Sequence, residues 1–190
     1  MKVFLAGHNG MVGSSILKKL SSDSSIDLIT RSREKLDLRD QAKVKSFFDK
    51  QKPDLVILAA AKVGGIYANS SFPAEFIFDN LQIQANIINS AHHSDVQKLI
   101  FLGSSCIYPK FSKQPIEEDE LMQGKLESTN ESYALAKIAG MRLCSSLRSQ
   151  YGFDAISLMP TNLYGTGDNY HEINSHVLAS FIRRFSEAVD

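Results

Sequence analysis

Tyr133 and Lys137 bracket the run Tyr133-Ala134-Leu135-Ala136-Lys137, a spacing that puts both side chains on one face of a helix. A tyrosine with a pKa of about 10 is a poor acid–base catalyst at neutral pH, and a neighbouring ammonium favours the phenolate and lowers that value. Ser104 follows the apolar run Lys98–Leu102. It therefore falls at the carboxyl end of a strand, where open parallel sheets bind their ligands. A hydroxyl there can hold a carbonyl oxygen while Tyr133 passes it a proton. Cys106 lies two residues further on. Its thiol, with an ordinary pKa of about 8.5, is placed to act as a base, against the plainer reading of a small buried hydrophobe. Cys144, among Leu143 and Leu147, reads as core, and His176, after Asn174-Ser175, reads by itself as a surface or capping residue. His8, His92, His93 and His171 show no metal-ligand grouping.

A second constellation precedes these. Gly7-His8-Asn9-Gly10-Met11-Val12-Gly13 joins the apolar run Val3–Ala6 to a helical stretch Met11–Leu20. The spacing G-x-x-G-x-x-G differs from the simplest dinucleotide fingerprint, but the physics is shared. Gly7 can turn tightly, Gly10 lets a pyrophosphate approach the backbone, and Gly13 lets the helix pack on the strand. The N–H groups of the helix start then face the phosphates. At the end of the second strand the chain carries Thr30-Arg31-Ser32-Arg33 in place of an acidic residue. Arg31 and Arg33 suit a ribose 2′-phosphate, which favours NADP over NAD, although arginines at a strand end also occur as ordinary solvated residues.

The elements that must position these groups alternate. Strands are predicted at Val3–Ala6, Asp27–Thr30, Leu55–Leu58, Lys98–Leu102 and Asp154–Leu158. Helices are predicted at Met11–Leu20, Asp40–Gln51 with Asp40 as N-cap, Pro73–Ser90, Glu131–Gln150 and Ser175–Ala188. The order implies an α/β fold with parallel strands and right-handed crossovers. Tyr108–Asn130 breaks the rhythm and reads as a long functional surface loop, its acidic run Glu117-Glu118-Asp119-Glu120 as a solvated turn. The 190 residues suit one domain, and the 43% apolar and 22% charged composition excludes a disordered chain. With 21 basic and 21 acidic residues the formal net charge is zero, so no basic excess serves a nucleic acid or an anionic membrane. No run of about 18 apolar residues exists, and the apolar stretch before Gly7 is too short for a signal peptide. Two cysteines form no disulfide framework, so a reducing, cytoplasmic setting is expected.

Together these residues resemble the extended short-chain dehydrogenase/reductases that act on nucleotide sugars. The likeness is carried by Ala6–Gly13, by Ala59-Ala60-Ala61-Lys62-Val63-Gly64-Gly65-Ile66, by Phe101-Leu102-Gly103-Ser104-Ser105-Cys106-Ile107-Tyr108-Pro109-Lys110, by Met159-Pro160-Thr161-Asn162-Leu163-Tyr164-Gly165 and by Asn174-Ser175-His176. The resemblance implies a Rossmann-type doubly wound sheet and a two-stage reaction at one site. GDP-4-keto-6-deoxy-D-mannose would be epimerised at C3 and C5 through enolates, then reduced at C4 by NADPH to GDP-L-fucose. It implies Cys106 and His176 as the epimerising base and acid, Ser104 and Tyr133 at the C4 oxygen, and Lys137 in support. It implies cofactor contacts from Gly7, His8, Asn9, Gly10, Met11, Val12, Gly13, Arg33, Leu102, Gly103, Ser104, Ser105, Lys137, Pro160, Thr161, Asn162, Leu163 and His176, with Arg184 at the substrate diphosphate. A homodimer is expected, pairing helices such as Pro73–Ser90 and Glu131–Gln150.

Two departures accompany the resemblance. Asn9 stands where the family often has a basic residue, leaving Arg33 more of the 2′-phosphate. The family also extends beyond Asp190. Residues 1–170 are therefore expected to form the NADP-binding domain and 171–190 the start of a substrate-binding portion, with most of the small C-terminal domain absent. Two alternatives stand beside this reading: a non-catalytic NADP(H)-binding module, and another nucleotide-sugar epimerase or dehydratase. Dehydratases usually carry an acidic pair after the Ser/Thr position, where this chain has Ser105-Cys106.

Overall fold

The computed structural model describes residues 1–189. Five short strands form one parallel sheet: β1 (Lys2–Ala6), β2 (Asp27–Ile29), β3 (Leu55–Leu58), β4 (Lys98–Leu102) and β5 (Ala155–Leu158). Their order is β2-β1-β3-β4-β5, with Ala6 opposite Leu58, Leu58 opposite Phe101 and Leu102 opposite Leu158. All the carboxyl ends lie at one rim. The connections leave β1 in opposite directions, so the crevice between β1 and β3 is the switch point where such Rossmann-type sheets bind ligands.

Strand periodicity separates the two faces. Phe4, Ala6, Val56, Leu58, Leu99, Phe101 and Ala155 turn to one face, which three helices cover. These are α2 (Gln41–Gln51), α4 (Pro73–His93) and α5 (Glu131–Tyr151). Helix α2 contributes Val44, Phe47 and Phe48, α4 contributes Ile87, Ile88 and Ala91, and α5 contributes Cys144 and Leu147. Val3, Leu5 and Ile57 turn to the other face, covered by Ile16, Leu17 and Leu20 of α1 (Met11–Leu20). Toward β5 that second face opens, and Leu158 is 47% exposed.

Local chemistry sets the helix ends. The Asp40 carboxylate accepts from Lys43 N–H at 3.0 Å as the N-cap of α2, and Pro73 opens α4 at its first turn. Gly152 closes α5 at φ 70°, the left-handed position that glycine accepts without strain. Helix α4 runs to His93, three residues past the predicted Ser90, and α6 (Val177–Glu187) starts two residues after the predicted Ser175. A short helix, α3 (Ile66–Ser71), fills a stretch with no predicted element. The acidic run closes into an exposed 3-10 turn at Glu118–Glu120, in keeping with a solvated loop. No helix among the described residues is long and apolar enough to cross a membrane.

Candidate active site

The glycine turn sits at the switch point. Gly7 has φ 96°, and a Cβ there would lie 2.5 Å from Ala60 N, so the turn passes hard against the chain leaving β3. A Cβ on Gly13 would lie 2.0 Å from Gly7 O, which is why α1 can start directly beneath the turn. Gly10 differs: its Cβ would meet only Gly7 O at 3.6 Å, and space lies open above it. Gly10 caps α1 without any side-chain cap, and the first turn carries no acidic residue. The leading N–H groups therefore have no side-chain partner, the condition for anion binding at a helix start. His8 adds a buried Nδ1 with no hydrogen-bond partner. An open cradle, free amides and an orphaned imidazole nitrogen fit a dinucleotide pyrophosphate.

At the β2 end the two arginines part. Arg31 donates to Thr30 O at 2.6 Å and lies over the Phe47 ring, 5.6 Å from its centroid. Arg33 is solvent-exposed, 3.9 Å from the Asp37 carboxylate, which Arg39 already grips. Arg33 is thus the freer of the two to meet a phosphate.

The candidate proton-transfer groups gather past β4. Ser104 leaves the strand extended and caps the 3-10 turn Ser105–Ile107, its Oγ accepting from Cys106 N–H at 3.5 Å. Helix α5 lies across this turn and presents Tyr133 and Lys137, one turn apart, as their spacing predicts. Lys137 is 4% exposed. Its ammonium donates to Leu102 O at 2.7 Å and sits over the Phe101 ring, 4.9 Å from the centroid. The Tyr133 ring lies edge-on to Phe76 of α4 at 6.5 Å.

Burial governs the protonation states. It holds the Lys137 ammonium down to about 8, partly opposed by the nearby Cys106 thiolate charge. It pushes the Tyr133 phenol well above its usual range; Cys106 adds to the rise, and hydrogen bonding from Ser104 opposes it. Proximity to Lys137 does not make Tyr133 acidic, contrary to the expectation from spacing. The ammonium donates to Leu102 O, and desolvation of the phenolate by burial is the largest cause of the shift. Burial likewise raises the Cys106 thiol, with the Ser104 hydroxyl and the Lys137 charge pulling it back. Cys106 thus lies close enough to both Tyr133 and Lys137 for its charge to act on each.

The segment after β5 returns along the rim. Gly103 N–H donates to Leu158 O at 2.8 Å and Ser105 N–H to Pro160 O at 3.1 Å, which places Pro160 beside the Ser104 turn. Thr161, Asn162 and Leu163 follow as exposed residues. The stretch before α6 docks on the β3 loop: Gly65 N–H donates to Asn174 O at 3.3 Å. His176 is the N-cap of α6, exposed, with its imidazole bonded to no helix amide. It stands on the same rim as Cys106, but no hydrogen bond joins the two side chains among the described residues. Arg184 is exposed on the last turn of α6. Among the described residues no three His, Cys, Asp or Glu side chains group as metal ligands.

Four amides among the described residues are buried without a counterpart in the sequence reading, Asn86 among them, its Nδ2 donating to Leu38 O at 2.9 Å. Asn80 accepts from Lys62 N–H at 2.9 Å and donates to Lys62 O at 3.0 Å, holding the β3 loop as a strand neighbour would. Asn69 donates to Gly64 O at 2.7 Å and Gly65 O at 3.1 Å. Gln84 donates to Ala136 O on α5. Asn80 and Gln84 continue the buried stripe of Phe76 at every fourth residue, a visible signal, since polar residues on an otherwise apolar helix face are there to bond.

Comparison with known proteins agrees with this geometry. The sequence model of the NAD dependent epimerase/dehydratase family matches residues 3–189. The GDP-L-fucose synthase of Escherichia coli K12 is 57% identical over 187 residues, covering 98% of this chain and 58% of that protein. Among solved structures, the GDP-mannoheptose C4 reductase of Campylobacter jejuni with NADP bound superposes with a TM-score of 0.91 at 40% identity, over 97% of this chain and 55% of that one. A GDP-L-fucose synthetase from Naegleria fowleri bound to NADP gives 0.87 at 28% identity, over 98% and 62%. The chain thus spans a little over half the length of the relatives it matches.

Proposed function

The chain belongs to the NAD dependent epimerase/dehydratase family, and from that membership we propose that it is the cofactor-binding and proton-transfer part of an NADPH-dependent enzyme that makes GDP-L-fucose from GDP-4-keto-6-deoxy-D-mannose. Residues 1–170 are the NADP-binding domain and 171–190 begin the substrate-binding portion. One observation carries the reading: the turn after β4 that holds Ser104 and Cys106 packs against α5, the helix that presents Tyr133 and Lys137, in a chain 57% identical to a GDP-L-fucose synthase.

The protons at C3 and C5 of the substrate are acidic because both carbons flank the C4 ketone, so modest acid–base groups suffice. Cys106 as thiolate removes them, and His176 returns them from the opposite side. Ser104 and Tyr133 hold the C4 oxygen and stabilise the enolate that forms between the two steps. A phenol kept protonated by burial is the right state for this, since it can donate to an oxyanion throughout. NADPH, when bound, supplies the hydride that reduces C4. Tyr133 then gives its proton to the C4 alkoxide, and the Lys137 ammonium holds the nicotinamide ribose. Gly7–Gly13 and Arg33 take the pyrophosphate and the 2′-phosphate, with Leu102–Ser105 and Pro160–Leu163 along the cofactor. Arg184 meets the diphosphate of the sugar nucleotide. Two reactions at one centre make the enzyme multifunctional.

The enzyme is cytoplasmic and homodimeric in this reading. Phe78 and Leu81 of α4 and Leu135 of α5 are exposed apolar residues on the outer side of that helix pair, which supports pairing across a two-fold axis. Reduction at C4 without epimerisation is the second reading, favoured by the 40% identity to a C4 reductase. The test is product analysis with GDP-4-keto-6-deoxy-D-mannose and NADPH, using this chain alone and joined to the C-terminal portion of the Escherichia coli relative. GDP-L-fucose from either form supports the proposal. A reduced but unepimerised sugar supports the second reading, and no product from either overturns both.

A further inference from the structure

Gln84 lies midway along α4, 4% exposed, on a buried stripe that also holds Phe76, Asn80, Ile87 and Ile88. A buried amide is costly unless its bonds are made. Its Nε2 donates to the carbonyl of Ala136, the peptide unit that leads into Lys137. A helical carbonyl keeps a lone pair free after bonding the amide four residues on, so this bond adds to the helix without breaking it.

The rest of the Gln84 amide faces Gly140. A Cβ on Gly140 would stand 2.7 Å from Gln84 Oε1 and 2.7 Å from Phe101 Cζ. Gly140 is therefore a notch into which α4 and β4 both press. Phe101 is also the surface over which the Lys137 ammonium sits. One contact set thus fixes α5 from two sides, one turn from Lys137 and two from Tyr133.

We infer that Gln84 is a positioning residue for the proposed reaction: seated in the Gly140 notch, it sets the height of α5 above β4 and hence where the Lys137 ammonium and the Tyr133 hydroxyl stand. Apolar side chains in its place would let the two helices slide, because dispersion contacts are non-directional, whereas a hydrogen bond to one carbonyl selects one register. The inference rests on the functional reading above only in giving Lys137 its ribose partner. The charged and titratable groups facing Lys137 are Cys106 from the 3-10 turn and Tyr133 on its own helix. Strand β4 offers the Leu102 carbonyl and the Phe101 ring, and α4 the neutral Gln84.

The experiment compares Gly140→Ala and Gln84→Met with the unaltered chain, with Ile88→Val as a packing control in the same helix pair. NADPH affinity is read by fluorescence titration, and the Lys137 protonation midpoint by its 13Cε shift in the ligand-free protein. Lifting α5 off Phe101 hydrates the ammonium, so Gly140→Ala moves the midpoint upward from about 8 and weakens NADPH about tenfold, as loss of a hydrogen bond from a charged group does. Gln84→Met does the same to a smaller extent, and Ile88→Val changes neither. Unmoved midpoints and unchanged affinity in the folded Gln84→Met and Gly140→Ala proteins overturn the inference. If Gly140→Ala does not fold, Gln84→Met decides. If the unaltered chain binds no NADPH, the functional reading fails while the midpoint still decides this one.

Discussion

The Lys137 ammonium reaches 2.7 Å to the Leu102 carbonyl and so bolts α5 to the last residue of β4. This bond places the Tyr–Lys helix over the Ser104 turn, and it costs desolvation of a charge. Lys137→Met keeps the volume and removes that charge. We expect the variant to be as stable as the parent or more so, while kcat/KM falls by about 100-fold or more. The pH profile carries the same signature. Lys137 titrates at about 8 in the folded chain against 10.5 in the unfolded one. Between those values the unfolded state holds more protons, so this residue makes stability rise with pH. The raised Cys106, Tyr133 and Cys144 groups act oppositely above about pH 9. The difference in Tm between the parent and Lys137→Met, measured from pH 7 to about 10.5, isolates the lysine: it should shift in the parent's favour as pH rises.

Gly10 and Gly13 separate ligand binding from folding. Gly13→Ala drives a methyl into Gly7 O and should destabilise the chain by about 3 kcal/mol, the upper end of the usual overpacking range. Gly10→Ala has room for its methyl and should cost no more than about 1 kcal/mol. In the proposed reading it fills the space a pyrophosphate needs, so NADPH affinity should drop by about tenfold or more. Denaturant melts and fluorescence titration of both variants check the pair. Equal NADPH affinity in Gly10→Ala would place the phosphates elsewhere.

Gly65 links His176 to the site through its neighbours. A Cβ on Gly65 would lie 2.8 Å from Ser175 O, so Gly65→Ala displaces the residue before His176 and leaves Ser104, Tyr133 and Lys137 in place. The expected result is slower exchange of the C3 and C5 hydrogens with deuterated solvent, by about tenfold or more, with NADPH affinity unaltered. Equal losses in both would show that the glycine serves the whole rim and not the acid alone.

Cys106 should behave as a hindered, weakly acidic thiol. Burial raises it above its ordinary value, and only the thiolate reacts. Alkylation by iodoacetamide should therefore rise with pH to a midpoint above that of an unburied cysteine. In Lys137→Met the midpoint should climb further, because the charge that pulls it down is gone. A lower midpoint in that variant would deny the coupling between the two residues.

Much of this arrangement is legible in the residues. Val3–Ala6, Leu55–Leu58 and Lys98–Leu102 are continuous apolar runs because both faces of a parallel sheet are packed, and all three are strands. Tyr133 and Lys137 share a helix face as their spacing requires. Helix α3 was invisible because a six-residue helix between Gly65 and Phe72 carries too little periodicity to register. The direction of the Tyr133 shift was invisible for another reason: spacing reports that an ammonium is near, but not that it is bonded to Leu102 O or that the phenol is buried. Gln84 and Asn80 were legible only in part. Their register on the Phe76 stripe marks them as buried, whereas the partners they bond belong to other elements.

One binding experiment tests the cofactor assignment most directly: fluorescence titration of the 190-residue chain with NADPH and, in parallel, with NADH. Saturable NADPH binding, tighter than NADH, is the predicted result, with the glycine turn taking the pyrophosphate and Arg33 the 2′-phosphate. No saturation by either dinucleotide would contradict the assignment of the Gly7–Gly13 turn and, with it, the proton-transfer centre built beside it.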